Sequence, residues 1–91
     1  MGKEKKRARN EKEFTNWEEL SNGGRKYWFE VEGRSGGKAR YLKVVDENEV
    51  TLTFTQEIYN SEGILTEIHE KYPIDKGHQK INYDNETTDS N

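Results

Sequence analysis

The stretch KYWFEVEGRSGGKARYLKV, from Lys26 to Val44, places two runs of aromatic and β-branched residues on either side of a glycine-rich turn. This arrangement is typical of a β-hairpin. Closing GRSGG as a five-residue loop pairs acid with base and apolar with apolar, setting Glu32 opposite Lys38, Val31 opposite Ala39, Glu30 opposite Arg40 and Phe29 opposite Tyr41. The compatibility of every pair fixes the predicted register.

Two further hairpins follow, so the sequence predicts a four-stranded antiparallel meander with strands at 25–32, 38–46, 49–59 and 64–72. The turn DENE sets Val45 opposite Val50 and Tyr41 opposite Phe54. In the third hairpin we expect Gly63 to have positive φ in a G1 bulge, because this choice brings Phe54 opposite Ile68 and turns Ile68 inward.

A short helix is predicted before the first strand, over residues 16–21. Thr15 and Glu18 fit a capping box, and two glycines follow as stop signals. Phe14, Trp17 and Leu20 then form one apolar stripe that needs a surface to lie on. The fold class is therefore α+β and mostly β, with one short N-terminal helix.

One face of this sheet carries an excess of apolar side chains: Tyr27, Phe29, Val31, Tyr41, Val45, Val50, Leu52, Phe54, Ile58, Ile64 and Ile68. Beyond the helix, Ile74, Ile81 and Tyr83 remain to cover them. A face of this size is too large to leave in water. We expect the sheet to curl strongly into a partial barrel that the helix plugs; the alternative is a homodimer of two sheets packed face to face.

Composition limits the chain to one small domain at 14–83. Of the 91 residues, 29% are apolar and 36% are charged, so the core is thin. Residues 1–13 carry six Lys or Arg and three Glu, and we expect a disordered basic arm there. Residues 84–91 are predicted to be a disordered acidic tail. No run of apolar residues approaches a membrane span or a signal peptide, which favours a cytoplasmic protein.

The outer face of the predicted sheet offers a candidate protein interface. Trp28 lies opposite Leu42 and next to Val44, with Arg34 and the glycine loop at the edge of this patch. An apolar centre with a charged rim is typical of protein interfaces. The other explanation is that the N-terminal helix, with Phe14 and Trp17, covers Trp28 as a second small core.

A nucleic-acid interface is the alternative function, using the basic arm together with Arg25, Lys26, Arg34, Lys38 and Arg40. Phosphate binding would make affinity fall steeply with salt. Two observations count against it: Lys38 and Arg40 already face glutamates, and the acids Glu30 and Glu32 flank Trp28, the outward aromatic.

Enzymatic activity is not expected, and neither a cofactor nor a metal is predicted. The chain has no cysteine, and the segment HEKYPIDKGH, with His69, Glu70, Asp75 and His78, matches no ligand spacing with a geometric basis. We therefore expect a small non-enzymatic binding or self-association module, whose partner is another protein or a second copy of this chain.

Overall fold

A computed structural model describes residues 2–83, in which one helix packs on a six-stranded antiparallel sheet. The elements are α1 (Gly2–Glu13), β1 (Asn16–Glu19), β2 (Arg25–Glu32), β3 (Lys38–Val45), β4 (Thr51–Tyr59), β5 (Leu65–Tyr72) and β6 (His78–Lys80). Each strand pairs with its neighbour in the chain, so the predicted meander is confirmed. The sheet has six strands rather than four, and it stays open instead of closing as a barrel. The predicted acidic tail lies outside the described residues.

The predicted helix at 16–21 is wrong, because Asn16–Glu19 forms strand β1 and pairs with β2. Leu20 donates its N–H to the carbonyl of Gly24 at 2.9 Å, which closes a hairpin instead of a helical turn. A helix of six residues has little stability of its own, so pairing with an existing strand wins. The helix is instead α1, over the segment for which the sequence predicts an arm without fixed structure.

The first long hairpin, β2 with β3, has the predicted register. Phe29 lies opposite Tyr41, and Glu30 lies opposite Arg40. The two aromatic rings stack with their centroids 5.0 Å apart. Charge and hydrophobic matching along two long strands was therefore sufficient to set this pairing.

The register of the second hairpin differs from the prediction by one residue at Val45 and by two residues from Val44 onward. Val45 pairs with Thr51, and a shift between Val44 and Val45 then sets Tyr41 opposite Gln56 rather than Phe54. A shift of two residues keeps side chains on their predicted face. Tyr41 and Phe54 therefore still share one face, with ring centroids 6.3 Å apart.

In the third hairpin Gly63 has the predicted positive φ, 82°. The predicted pairing of Phe54 with Ile68 is wrong, because Ile68 lies opposite Glu57 and Phe54 lies opposite Tyr72. The register shift between Ile58 and Tyr59 lies between the turn and Ile68, and Ile68 is displaced by three residues from its predicted partner. Because this displacement is an odd number of residues, Ile68 lies on the other face.

The core occupies one end of the face that carries Tyr27, Phe29 and Phe54, here called the inner face. Phe14 follows directly after α1 and is 3% exposed. Its ring lies 5.4 Å from that of Phe29 and 5.8 Å from that of Tyr27, centroid to centroid. Val45 completes this buried cluster. The helix and Phe14 thus cover one half of the inner face, and the other half is open to solvent.

Candidate functional site

The uncovered half of the inner face is an open groove of about 660 Å³. Its apolar lining comes from neighbouring strands: Val31, Ala39, Tyr41 and Ile58. Val31 is 44% exposed although it lies in line with the buried Tyr27 on the same strand. The groove is therefore the continuation of the core beyond the reach of the helix, and we call it the open groove.

Two unpaired charges of opposite sign lie at the rim of the open groove. Glu32 ends strand β2, and Arg34 lies in the turn that follows. Within residues 2–83 neither side chain has an ion-pair partner. The groove thus combines an apolar floor with one free carboxylate and one free guanidinium.

The far edge of the open groove is formed by β6, and two histidine contacts hold β6 and the loop before it to β5. His78 Nδ1 lies 3.0 Å from an oxygen of Glu67, and His69 Nε2 lies 2.6 Å from Asp75. The hydrogen bond from His69 holds the pKa of Asp75 below its usual range. Within residues 2–83 no three histidine or acidic side chains are grouped so that they would hold a metal ion. The contacts fix the short edge strand in place.

The opposite end of the inner face is closed by a buried carboxylate, that of Glu49. This residue is 2% exposed and has a φ of 66°, in the left-handed region. Its Oε2 accepts hydrogen bonds from the Tyr27 hydroxyl and from Asn10 Nδ2, the latter at 3.2 Å. Its Oε1 accepts from Arg7 Nε, also at 3.2 Å. Since Asn10 and Arg7 belong to α1, Glu49 binds the helix to the sheet.

The electrostatics of this buried group favour the ionised carboxylate. Burial acts to raise the pKa of Glu49, but the hydrogen bonds from Tyr27, Asn10 and Arg7 outweigh it, so the pKa lies below its ordinary value. Burial and the hydrogen bond to Glu49 raise the pKa of Tyr27. The cluster therefore holds an anion, a cation and a neutral phenol at neutral pH.

The predicted Trp28 patch exists as a set of neighbours on the outer face. Trp28 lies opposite Leu42, and Val44 lies opposite Lys26. All three apolar side chains are half-buried, and the Lys26 ammonium lies 5.5 Å from the Trp28 ring. The helix does not cover this patch, because Phe14 contacts the inner face.

The predicted basic residues are not gathered on one surface. Arg25 is buried, and its NH1 and NH2 groups lie 2.7 Å from Glu11 and Glu19 respectively. These hydrogen bonds outweigh the effect of burial, and the pKa of Arg25 is raised. The side chains of Lys38 and Arg40 both contact Glu30, at 3.4 and 2.7 Å. Lys26 lies against Trp28 and Arg34 lies at the rim of the open groove.

Sequence reasoning missed the Glu49 cluster, although one signal was present. The segments DENEV and NSEGI share an Asp or Asn followed three residues later by the residue that becomes left-handed. A glutamate where glycine is the ordinary choice indicates that another part of the chain holds that position. The contacts that do so come from α1 and β2, which are distant in sequence.

Comparison with known proteins yields no relative: neither a family model nor a curated protein nor a solved structure matches this chain.

Proposed function

We propose that this protein is a small non-enzymatic self-association module, and that the open groove packs face to face against the open groove of a second copy. The observation that carries this proposal is the division of the inner face: one half is covered by α1, and the other half exposes apolar side chains in a groove of about 660 Å³. The sheet does not close on itself to cover them. A second sheet packed face to face supplies the missing cover.

The rim charges support a second copy as the occupant. A two-fold interface is self-complementary, so residue i of one subunit meets residue j of the other and the reverse contact also forms. Glu32 and Arg34 are close in the chain, opposite in charge and without ion-pair partners within residues 2–83. Two copies related by a two-fold axis can place each Glu32 against the other copy's Arg34.

Analytical ultracentrifugation with matched variants tests the role of the groove. Val31 and Val50 are 44% and 45% exposed, but Val50 does not line the groove. We expect Val31→Asp to shift the protein to a monomer, because it buries a charge in the interface, and Val50→Asp to leave the dimer intact. A monomeric wild-type protein, or equal loss with both variants, would contradict the proposal.

A charge exchange tests the rim pair separately. Glu32→Arg and Arg34→Glu each place like charges across the two-fold axis, so each variant alone should dimerise more weakly than wild type. An equimolar mixture restores both opposite-charge contacts and should form a heterodimer. If the mixture associates no better than its components, these residues do not meet across the interface.

The outer patch supplies a competing interface with a distinct outcome. If Trp28→Ala abolishes dimerisation of a folded protein while Val31→Asp does not, the copies associate through Trp28, Leu42 and Val44 instead. That result would keep self-association and reject the open groove as its site.

A further inference from the structure

We propose that a second, smaller pocket between α1 and the sheet binds a phosphate group. The pocket has a volume of about 180 Å³, and its lining includes three cationic side chains, Lys6, Arg9 and Lys43, and the hydroxyl-bearing Thr51. It lies at the helix-covered end of the inner face, away from the open groove. Its ligand is therefore independent of the proposed dimer.

The helix and the sheet bring these cations to one place from different parts of the chain. Lys6 and Arg9 are three residues apart and so lie on the same side of α1. Lys43 comes from β3, and its ammonium donates to Asn10 Oδ1 at 2.9 Å while lying 5.3 Å from the centre of the Phe14 ring. The Asn10 contact holds the Lys43 charge beside the helix.

None of these three cations forms an ion pair with a carboxylate among residues 2–83. Lys6 and Arg9 have no ion-pair partner there, and the polar partner of Lys43 is an amide oxygen. Glu49 also lines the pocket, but its carboxylate is buried and already accepts from Arg7, Asn10 and Tyr27. Neighbouring cations repel one another, and an anion in the pocket relieves that repulsion.

A phosphate group suits this lining better than a simple halide or a carboxylate. Its several acceptor oxygens can be reached at once by an arginine, two ammonium groups and a hydroxyl, and charge-assisted hydrogen bonds of this kind are strong. The pocket opens to solvent, so the phosphate can belong to a small molecule or to the backbone of a nucleic acid. The chemistry of recognition is the same for both sources.

The chain offers a matched control for the test. Lys5 and Lys12 are seven residues apart, on the side of α1 opposite Phe14 and outside the pocket lining. Lys6→Gln/Arg9→Gln and Lys5→Gln/Lys12→Gln therefore remove the same charge from the same helix, the first inside the pocket and the second outside it. Circular dichroism checks that both variants remain folded.

Binding is measured by calorimetry with inorganic triphosphate and by fluorescence anisotropy with labelled single-stranded RNA and DNA. We expect the pocket variant to lose about tenfold or more in affinity, and the control variant to keep nearly all of it. Binding of triphosphate supports a small-molecule source. Binding of an oligonucleotide alone, with affinity that falls as salt rises, supports a nucleic-acid backbone.

Two results would overturn the proposal. Equal losses in the pocket and control variants would mean that the ligands respond to the overall charge of α1 and not to this pocket. No binding of triphosphate or of either oligonucleotide by the wild-type protein at millimolar concentration would mean that the pocket is not a phosphate site. A Lys43→Gln variant adds an independent check, because it removes a pocket charge from the sheet side.

Discussion

The turns at 46–50 and 60–64 have the same backbone design but serve different purposes. In each, the first residue donates its N–H to the carbonyl of the fifth at 2.9 Å and accepts from the N–H of the fourth, also at 2.9 Å. In each, the Oδ1 of the first residue accepts from the third and fifth N–H groups, at 2.8 to 3.0 Å. Both turns therefore satisfy their backbone in the same local way.

The difference lies at the fourth position, which has positive φ in both turns. Gly63 occupies it with a φ of 82°, and a Cβ there would meet nothing within 4 Å. Glu49 occupies it with a φ of 66°. The left-handed conformation costs a non-glycine residue about 1 to 2 kcal/mol.

The two turns differ in what holds the left-handed residue in its conformation. The turn at 60–64 is determined by its own sequence, whereas the turn at 46–50 accepts backbone strain so that one carboxylate can reach Arg7, Asn10 and Tyr27. Residues in sparsely populated conformations persist when the surroundings hold them there. Glu49 therefore helps to fix α1 over one half of the inner face, together with Phe14 and the contacts of Glu11 and Asn10 with the sheet.

Removal of the Glu49 carboxylate should have the largest effect. Glu49→Ala keeps the backbone strain and leaves Arg7, Asn10 and Tyr27 without their common acceptor, so we expect a loss of about 3 to 5 kcal/mol in the free energy of unfolding. Glu49→Gly should be more stable than Glu49→Ala by about 1 kcal/mol, because glycine relieves the backbone strain. Urea denaturation measures both.

Equal stability of these two variants would mean that Glu49 is not strained. A loss below about 1 kcal/mol for Glu49→Ala would mean that the buried cluster contributes no more than an exposed contact.

The equivalent position in the other turn should be less sensitive. Gly63→Val introduces strain at a position where a Cβ would meet no atom within 4 Å, and we expect a loss of roughly 1 kcal/mol or more in the free energy of unfolding, with no change at α1. Urea denaturation gives the first quantity and amide exchange at residues 2–13 gives the second. A Gly63→Val protein as stable as wild type would show that the two turns differ in backbone conformation.

The smallest effect concerns pH and separates the charge of Glu49 from its shape. Because its pKa is lower in the folded protein, its contribution to stability is complete above the pKa that it has in the unfolded chain and is lost as the pH falls through the folded value. Glu49→Gln should be less stable than wild type at neutral pH, and this difference should shrink on acidification. A difference independent of pH would mean that the ionised form is not the one stabilised.

The sequence predicted the local features of the sheet and missed those that depend on distant contacts. The pairing of Glu30 with Arg40 and the positive φ of Gly63 follow from neighbours and turn chemistry. The sequence did not predict the bulges beside Val45 and Ile58. Beyond them, Tyr41 lies opposite Gln56 and Ile68 faces outward. A bulge adds one residue to a strand and leaves its composition unchanged, so the hydrophobic pattern alone does not locate it.

The helix and the groove were missed for a related reason. A segment as polar as 2–13 contains no apolar stripe, so pattern analysis predicts an arm without fixed structure. Its attachment uses Arg7, Asn10 and the following Phe14, and their partners lie on β2, β3 and the 46–50 turn. The shortage of apolar cover for the sheet was recognisable from the sequence, but which half of the face stays open depends on these contacts.

The most direct test of this account is amide hydrogen exchange of residues 2–13 in the wild-type protein, Glu49→Gly and Gly63→Ala. Glu49→Gly relieves the turn and removes the acceptor that holds α1, whereas Gly63→Ala strains the other turn and touches nothing on the helix. We predict protected helix amides in wild type and Gly63→Ala, and loss of that protection in Glu49→Gly. Unprotected amides in the wild-type protein, or equal protection in all three proteins, would contradict the claim that Glu49 fixes the helix to the sheet.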